Sequence, residues 1–299
     1  MIGRPADAAE RPDRPGGGLD AGEVTRYGPV LSRRDIPSAR RIVVKVGSSS
    51  ISGDNAGRIA PLVDALAGAH ARGCEVILVS SGAIATGMPY LQLDERPTDL
   101  ATQQAAAAVG QNVLIYRYQD SLDRYDIVAG QVLLTAGDLE NPGHRSNAER
   151  AMERLLGLRI LPIVNENDTV ATHEIRFGDN DRLAALVAEL VRADLLVLLS
   201  DVDALYSRPP ADPGAVVVRR VAAGAGLDDI EFGEPESTGV GTGGAATKVA
   251  AARMAAASGT PVLVTSTSLV SEALAGAIVD GADIGTWFEA STPQGRARA

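Results

Sequence analysis

Two lysines, one aspartate and a few short runs of small or polar residues mark the positions where this sequence could do chemistry. Lys45 interrupts the aliphatic stretch Ile42-Val43-Val44-Lys45-Val46, immediately before Gly47-Ser48-Ser49-Ser50. An ammonium group inside such a strand is costly to bury unless an anion meets it; the plainer alternative is a lysine snorkelling at the sheet edge. Gly47 would let the backbone approach a phosphate closely. Lys248 follows Gly241-Thr242-Gly243-Gly244-Ala245-Ala246-Thr247 at the start of an Ala-rich helix, where free N–H groups can hold phosphate oxygens. Gly239, Gly241 and Gly244 have dinucleotide-fingerprint spacing, but an acidic loop rather than a strand precedes them, and no acidic residue lies about 20 positions on. The run also lacks the Gly-Lys-Ser/Thr ending of a Walker loop, and a surface loop with a solvated lysine is its bland reading. Between the lysines lie Asn165-Glu166-Asn167-Asp168 and Gly178-Asp179-Asn180-Asp181. Either cluster alone reads as a strand stop or a helix N-cap. Two of them bracketing one polar ribbon can hold a small zwitterion and orient cations.

The elements that must position these residues alternate regularly from Arg41 onward. Strands are predicted at 42–46, 76–79, 128–134, 160–164 and 195–199, with helices after Ser50, over about 100–122, 145–157 and from Leu183. In the last of these, Leu183, Leu186, Val187, Leu190 and Val191 recur at the spacing of one apolar helix face. Such alternation implies βαβ units and a parallel sheet, in which ligands sit at the carboxyl ends of the strands. Gly47-Ser48, Ser81-Gly82, Asn165 to Asp168 and Ser200-Asp201 all fall there. An edge strand near 216–221, a helix running to about Ser258 and strands near 262–265 and 286–288 complete the pattern. The first 38 or so residues, rich in Pro, Gly, Arg, Asp and Ala without a sustained period, read as a disordered extension. No internal repeat or long linker divides the remainder into independent domains.

Composition narrows the function classes. With 45% hydrophobic but only 3% aromatic residues, the core must be built from Val, Leu, Ile and Ala, as parallel sheets are. A net charge of −10 leaves no general excess of Lys and Arg to replace the counterions of a nucleic acid. No apolar run reaches the roughly 18 residues of a membrane span. Ser32-Arg33-Arg34 is followed by charge and Pro37 where an export signal needs an apolar stretch, so a cytoplasmic protein is expected. The single cysteine, Cys74, excludes an internal disulfide, and His70, His144 and His173 have no metal-ligand spacing.

Taken in order, Lys45-Val46-Gly47-Ser48-Ser49, Val79-Ser80-Ser81-Gly82-Ala83-Ile84, Ala108-Val109-Gly110-Gln111, Asn165-Glu166-Asn167-Asp168, Gly178-Asp179-Asn180-Asp181 and Gly241 through Lys248 form a highly specific set. On these motifs the chain, over roughly residues 40 to 290, resembles the amino-acid kinase family, specifically its glutamate-phosphorylating members. The resemblance implies a three-layer α/β/α sandwich around a largely parallel sheet, with a kinase domain over 39–299. It further implies ATP-dependent phosphorylation of the γ-carboxylate of L-glutamate to glutamyl 5-phosphate, the first step toward proline. By the same resemblance Lys45, Lys248 and Asp181 are catalytic: the lysines neutralise the transferring group and Asp181 orients the ammonium groups. Ser81, Asp168 and Asn180 hold glutamate. Lys45, Gly47, Ser200, Asp201, Thr242, Gly243, Gly244, Ala245, Ala246, Thr247 and Lys248 hold ATP, with Mg2+ carried on its phosphates rather than by a protein metal site. The part up to about 195 would bind glutamate and the part beyond it ATP. Ser48 and Ser80 stand where many relatives have threonine, Ala245-Ala246 replaces a more usual Met-Ser, and Ser200-Asp201-Val202-Asp203 is not the commonest nucleotide-side sequence. The PUA domain of longer relatives is not expected here. Relatives are homo-oligomers inhibited by proline, which makes 100–122 the candidate interface helix. An acetylglutamate kinase-like enzyme and a catalytically silent amino-acid sensor are the rival readings.

Independent chemistry points the same way. A carboxylate acceptor, with an ordinary pKa of about 4.3, is already ionised at neutral pH and needs no general base. A site of lysines and glycines without a histidine base therefore suits a carboxylate better than an alcohol. Asp168 offers a charge to a free α-ammonium group, which favours glutamate over its N-acetyl derivative.

Overall fold

The computed structural model describes residues 27–171, 180–226, 244–276, 278–279 and 282–291. Aliphatic runs give the strands β1 (Arg41–Val46), β2 (Glu75–Ser80), β3 (Ala129–Leu134), β4 (Leu161–Glu166) and β5 (Leu195–Ser200). The short β6 (Leu205–Tyr206), β7 (Val217–Val218) and β8 (Arg220–Val221) precede β9 (Val262–Ser266), and β10 (Ile278–Val279), β11 (Ala282–Asp283) and β12 (Thr286–Phe288) follow. Eight of them form one sheet in the order β3-β4-β2-β1-β5-β9-β12-β8. All of its pairings are parallel except β12 against β9. The chain leaves β1 toward β2 on one side and later returns to β5 on the other. The crevice between the carboxyl ends of β1 and β5 is therefore the switch point at which such sheets bind ligands.

Strand alternation sorts the core into two layers. Ile42, Val44 and Val46 face the layer built with α1 (Ile59–Ala71), α3 (Leu100–Leu122) and α8 (Val270–Leu274). Val43 faces the opposite layer, built with α5 (Pro142–Gly157), α6 (Asn180–Leu190) and α7 (Ala245–Ala257). The result is the expected three-layer α/β/α arrangement. Lys45 shares the parity of Val43, so the strand itself turns its ammonium group toward α6 and α7. A short helix, α2 (Ala83–Gly87), packs against α3 backbone to backbone. A Cβ on Gly110 would lie 1.8 Å from the Ala83 carbonyl oxygen, and one on Gly87 1.9 Å from that of Ala106. That approach is why the Val109-Gly110-Gln111 motif requires glycine at its centre.

Two expectations are corrected. The stretch predicted as disordered has definite structure from Tyr27: Arg33–Ser38 form a 3-10 helix, and Val30, Ile36 and Ala39 are buried in the core. The anchor is Arg33, whose Nε donates to the Ile284 carbonyl at 2.8 Å and whose Nη2 donates to that of Gly285 at 3.1 Å. Composition hides this because one buried guanidinium and three apolar contacts leave no periodic signal. The helix expected over 145–157 begins at Pro142. Asn141 caps it, its Oδ1 accepting from the Gly143 and His144 N–H groups at 2.9 and 3.1 Å. Pro-Gly reads as a loop, although proline is favoured at the first helical position.

Candidate active site

The catalytic candidates converge from three elements. Asp181 stands in the first turn of α6, where the helix dipole favours a negative charge, and no part of it reaches solvent. Its Oδ1 is paired with Lys45 Nζ from β1, and its Oδ2 lies 3.2 Å from Lys248 Nζ, one turn into α7. Both lysine side chains are largely buried, at 3% and 12% exposure. Two ammonium groups far apart in sequence are thus held one carboxylate apart. Burial by itself pushes the Asp181 carboxyl up, but the charges of Lys45 and Lys248 and their hydrogen bonds outweigh it and hold the group below the ordinary carboxylate range.

The residues expected around the phosphates border this centre. Gly47 follows β1, and a Cβ there would sit 3.9 Å from Lys45 Nζ and 3.9 Å from Ser49 Oγ, in the space before the ammonium group. Gly244 caps α7; Ala245 and Ala246 are exposed in its first turn, and the Thr247 hydroxyl donates to the Gly244 carbonyl at 2.8 Å. Ser200 and Asp201 close β5. The Asp201 carboxylate accepts from Ser49 Oγ at 2.8 Å and Ser50 Oγ at 3.0 Å. Thr242 and Gly243, together with Gly178 and Asp179, lie outside the described residues.

A second group of polar side chains lines the adjoining strand ends. Asn180 Nδ2 donates toward the Ser80 carbonyl at 2.9 Å, Ser81 Oγ at 3.0 Å and Asn165 Oδ1 at 2.8 Å. Three acceptors around the nitrogen fix the direction of the amide. Asn180 Oδ1 is buried and meets no hydrogen-bond partner among the described residues, an acceptor that a ligand N–H could satisfy. Asn165 is itself held from α3, its Nδ2 donating to Gln111 Oε1 at 2.6 Å. Asp168 is half-buried in the turn after β4. Ser81, Asn180 and Asp168 thus lie at the ends of β2 and β4 and the start of α6. The structure brings Ser81 and Asn180 into contact; Asp168 occupies the neighbouring turn.

Gln111 and Asn165 stand in the family motifs with no role legible from the sequence. An amide ending an otherwise apolar strand, Ile163-Val164-Asn165, was the available signal. Tyr118, whose hydroxyl lies 2.9 Å from Ser80 Oγ, was also missed. It packs the strand end from α3, and burial pushes its phenol well up.

Among the described residues no three His, Cys, Asp or Glu side chains are grouped to hold a metal ion, and no helix is long and apolar enough to cross a membrane.

Comparison with known proteins places the chain in a family. The profile described as "Amino acid kinase family" matches residues 40–266. The chain is 76% identical over 257 residues to glutamate 5-kinase of Clavibacter sepedonicus, covering 86% of this chain and 97% of the relative. It is 54% identical over 264 residues to glutamate 5-kinase of Streptomyces coelicolor, covering 87% of this chain and 69% of that relative. Two solved structures share the fold at low sequence identity. One is carbamate kinase from Giardia lamblia bound to AMP-PNP, with TM-score 0.58 and 16% identity over 85% of this chain and all of that one (100%). The other is isopentenyl phosphate kinase of T. acidophilum in a product complex, with TM-score 0.57 and 18% identity over 83% of this chain and 100% of the other. The chain belongs to the amino acid kinase family and, within it, to the glutamate 5-kinases.

Proposed function

We propose that the chain transfers the γ-phosphoryl group of ATP to the γ-carboxylate of L-glutamate, and that the Lys45–Asp181–Lys248 centre performs the transfer. The supporting observation is the pair of buried ammonium groups sharing one carboxylate at the sheet's switch point. The acceptor arrives ionised, so the chemical difficulty is to bring two anions together and to stabilise charge spread over the phosphoryl oxygens. Lys45 and Lys248 supply positive charge from opposite sides, and Asp181 fixes where they point. No proton has to be removed, which fits a centre whose described residues include no histidine.

The triphosphate would lie between the Gly47 turn and the start of α7, bounded by Ser200 and Asp201, with Thr242, Gly243, Gly244, Ala245, Ala246 and Thr247 along the nucleotide. Magnesium would come with the nucleotide and screen its phosphates. The donor set fits that reading, because the Asp181 and Asp201 carboxylates are already engaged by ammonium and hydroxyl groups. Glutamate would lie across Ser81, Asn180 and Asp168, its α-ammonium group meeting Asp168 and Asn180 Oδ1, which has no partner among the described residues. The glutamate side would thus come from residues before about 195 and most of the nucleotide side from those after it.

A cytoplasmic homo-oligomer inhibited by proline completes the reading, with the exposed Tyr116 on α3 at a subunit contact. The test is phosphoryl transfer from ATP to L-glutamate and, separately, to N-acetyl-L-glutamate, repeated with Lys248→Ala. Turnover should be confined to glutamate, and the variant should lose about 2–4 kcal/mol of transition-state stabilisation. Unchanged turnover in Lys248→Ala would remove that residue from the mechanism.

A further inference from the structure

Asp201 follows β5 beside the site, and both of its carboxylate oxygens accept hydrogen bonds from the chain. Ser49 Oγ donates to Oδ2 at 2.8 Å and Ser50 Oγ donates to Oδ1 at 3.0 Å. Ser50 Oγ accepts in turn from Thr267 Oγ1 at 3.0 Å. Thr267 has a single hydroxyl proton and lies farther, 3.3 Å, from the Ser200 carbonyl, so the bond to Ser50 is the better one. The proton order is then fixed: Thr267 gives to Ser50, and Ser50 and Ser49 give to Asp201. Ser50 and Thr267 are both buried, at 1% and 5% exposure, so this chain of hydroxyls is a built part of the interior.

The chain ties together the carboxyl ends of β9, β5 and β1, three neighbouring strands. What it holds on β1 is the turn Gly47–Ser50. Within that turn the Ser50 N–H donates to the Gly47 carbonyl at 3.3 Å, and the Ile51 and Ser52 N–H groups donate to that of Ser48 at 3.2 and 3.0 Å. Asn55 Nδ2 pins the Ser49 carbonyl at 2.7 Å. The other side of the turn abuts the catalytic ammonium, since a Cβ on Gly47 would lie 3.9 Å from Lys45 Nζ.

We propose that Ser50 and Thr267 are positioning residues for the phosphates of ATP. They act through Asp201, whose carboxylate clamps the Gly47–Ser50 turn. A bare carboxylate beside a triphosphate repels it. One whose oxygens accept two hydroxyl protons is turned toward the protein, and its charge is partly satisfied there. The clamp holds the turn at one distance from Lys45, so that the phosphates meet a preformed surface.

This inference rests on the reading that the triphosphate lies against Lys45, and the experiment separates the two. ATP affinity, inhibition by AMP and the KM for glutamate are measured for the full chain and for Ser50→Ala, Thr267→Val, Thr267→Ser and Lys45→Met. Ser50→Ala and Thr267→Val should each weaken ATP about 3–10-fold, the loss of one internal hydrogen bond, and leave AMP and glutamate within about twofold. Thr267→Ser keeps the hydroxyl and should bind ATP as the parent does. Equal losses for ATP and AMP would show that the damage is not confined to the phosphates. An unchanged ATP affinity in Thr267→Val would show that the clamp does nothing for them. Either result overturns the proposal, and if Ser50→Ala does not fold, Thr267→Val decides alone. The underlying reading fails separately if Lys45→Met binds ATP as well as the parent.

Discussion

Replacing Asp181 by asparagine keeps the shape of the side chain and removes one charge from a point that solvent does not reach. The carboxylate faces Lys45 Nζ on one oxygen and Lys248 Nζ at 3.2 Å on the other. At an effective dielectric of about 20, a unit pair at 3.2 Å attracts by about 5 kcal/mol before the cost of desolvation. That cost cancels much of the gain, but it is not recovered when only the anion is removed. Two buried cations then face each other, and breaking a buried pair in this way costs about 3–5 kcal/mol. For a chain of this size the melting temperature should fall by roughly 5–8 °C. Saturating ATP should raise the melting point of the variant more than that of the parent, because phosphate oxygens replace the missing anion. The sign of the pH dependence follows from the lowered carboxyl pKa. A depressed carboxyl stabilises the fold fully above its unfolded value of about 3.9, and that contribution is lost as pH falls through the lower folded value. Parent and variant should therefore differ by a constant amount at neutral pH and approach each other only in that acid range. Thermal melts across pH, with and without ATP, make the measurement. A ligand-free variant melting within about 1 °C of the parent at pH 7 would refute the argument that Asp181 holds the two ammonium groups in place.

Gly110→Ala should destabilise the fold by at least about 1–3 kcal/mol, because the new Cβ would meet the Ala83 carbonyl at 1.8 Å and the Gly87 nitrogen at 2.6 Å, both backbone; denaturant titration reads the loss. Asp168→Asn should raise the KM for glutamate about 5–100-fold through the lost charge on the α-ammonium group, with a much smaller effect on the KM for ATP. Steady-state kinetics that show the two constants rising together would place Asp168 elsewhere. Arg33→Ala should cost about 1–3 kcal/mol by leaving the Ile284 and Gly285 carbonyls without their donor, and hydrogen exchange should rise first at β12.

The alternation of aliphatic strands with amphipathic helices is local information, and it made the parallel three-layer fold readable from the chain. Strand ends were readable for the same reason, since Gly47-Ser48, Ser81-Gly82, Asn165 to Asp168 and Ser200-Asp201 interrupt apolar runs that have to stop there. Residue types also exposed Lys45 and Lys248 as costly or well-placed cations. Resemblance assigned Asp181 to the two ammonium groups; the physical reason that they meet lies in the tertiary structure. Nothing in the neighbourhood of Asp181 indicates that its two oxygens serve lysines from β1 and α7, because that depends on strand parity, on which helices cover that face and on the packing of α6 beside α7. Likewise nothing in the sequence indicates that the Asp201 carboxylate accepts from Ser49 and Ser50 across the crevice. Gln111 gains its place at the site only because the Gly87–Gly110 contact brings α3 against the strand ends. Side-chain pattern along a chain reports what each residue can bury. It carries no record of the distances between residues that only the folded sheet brings together.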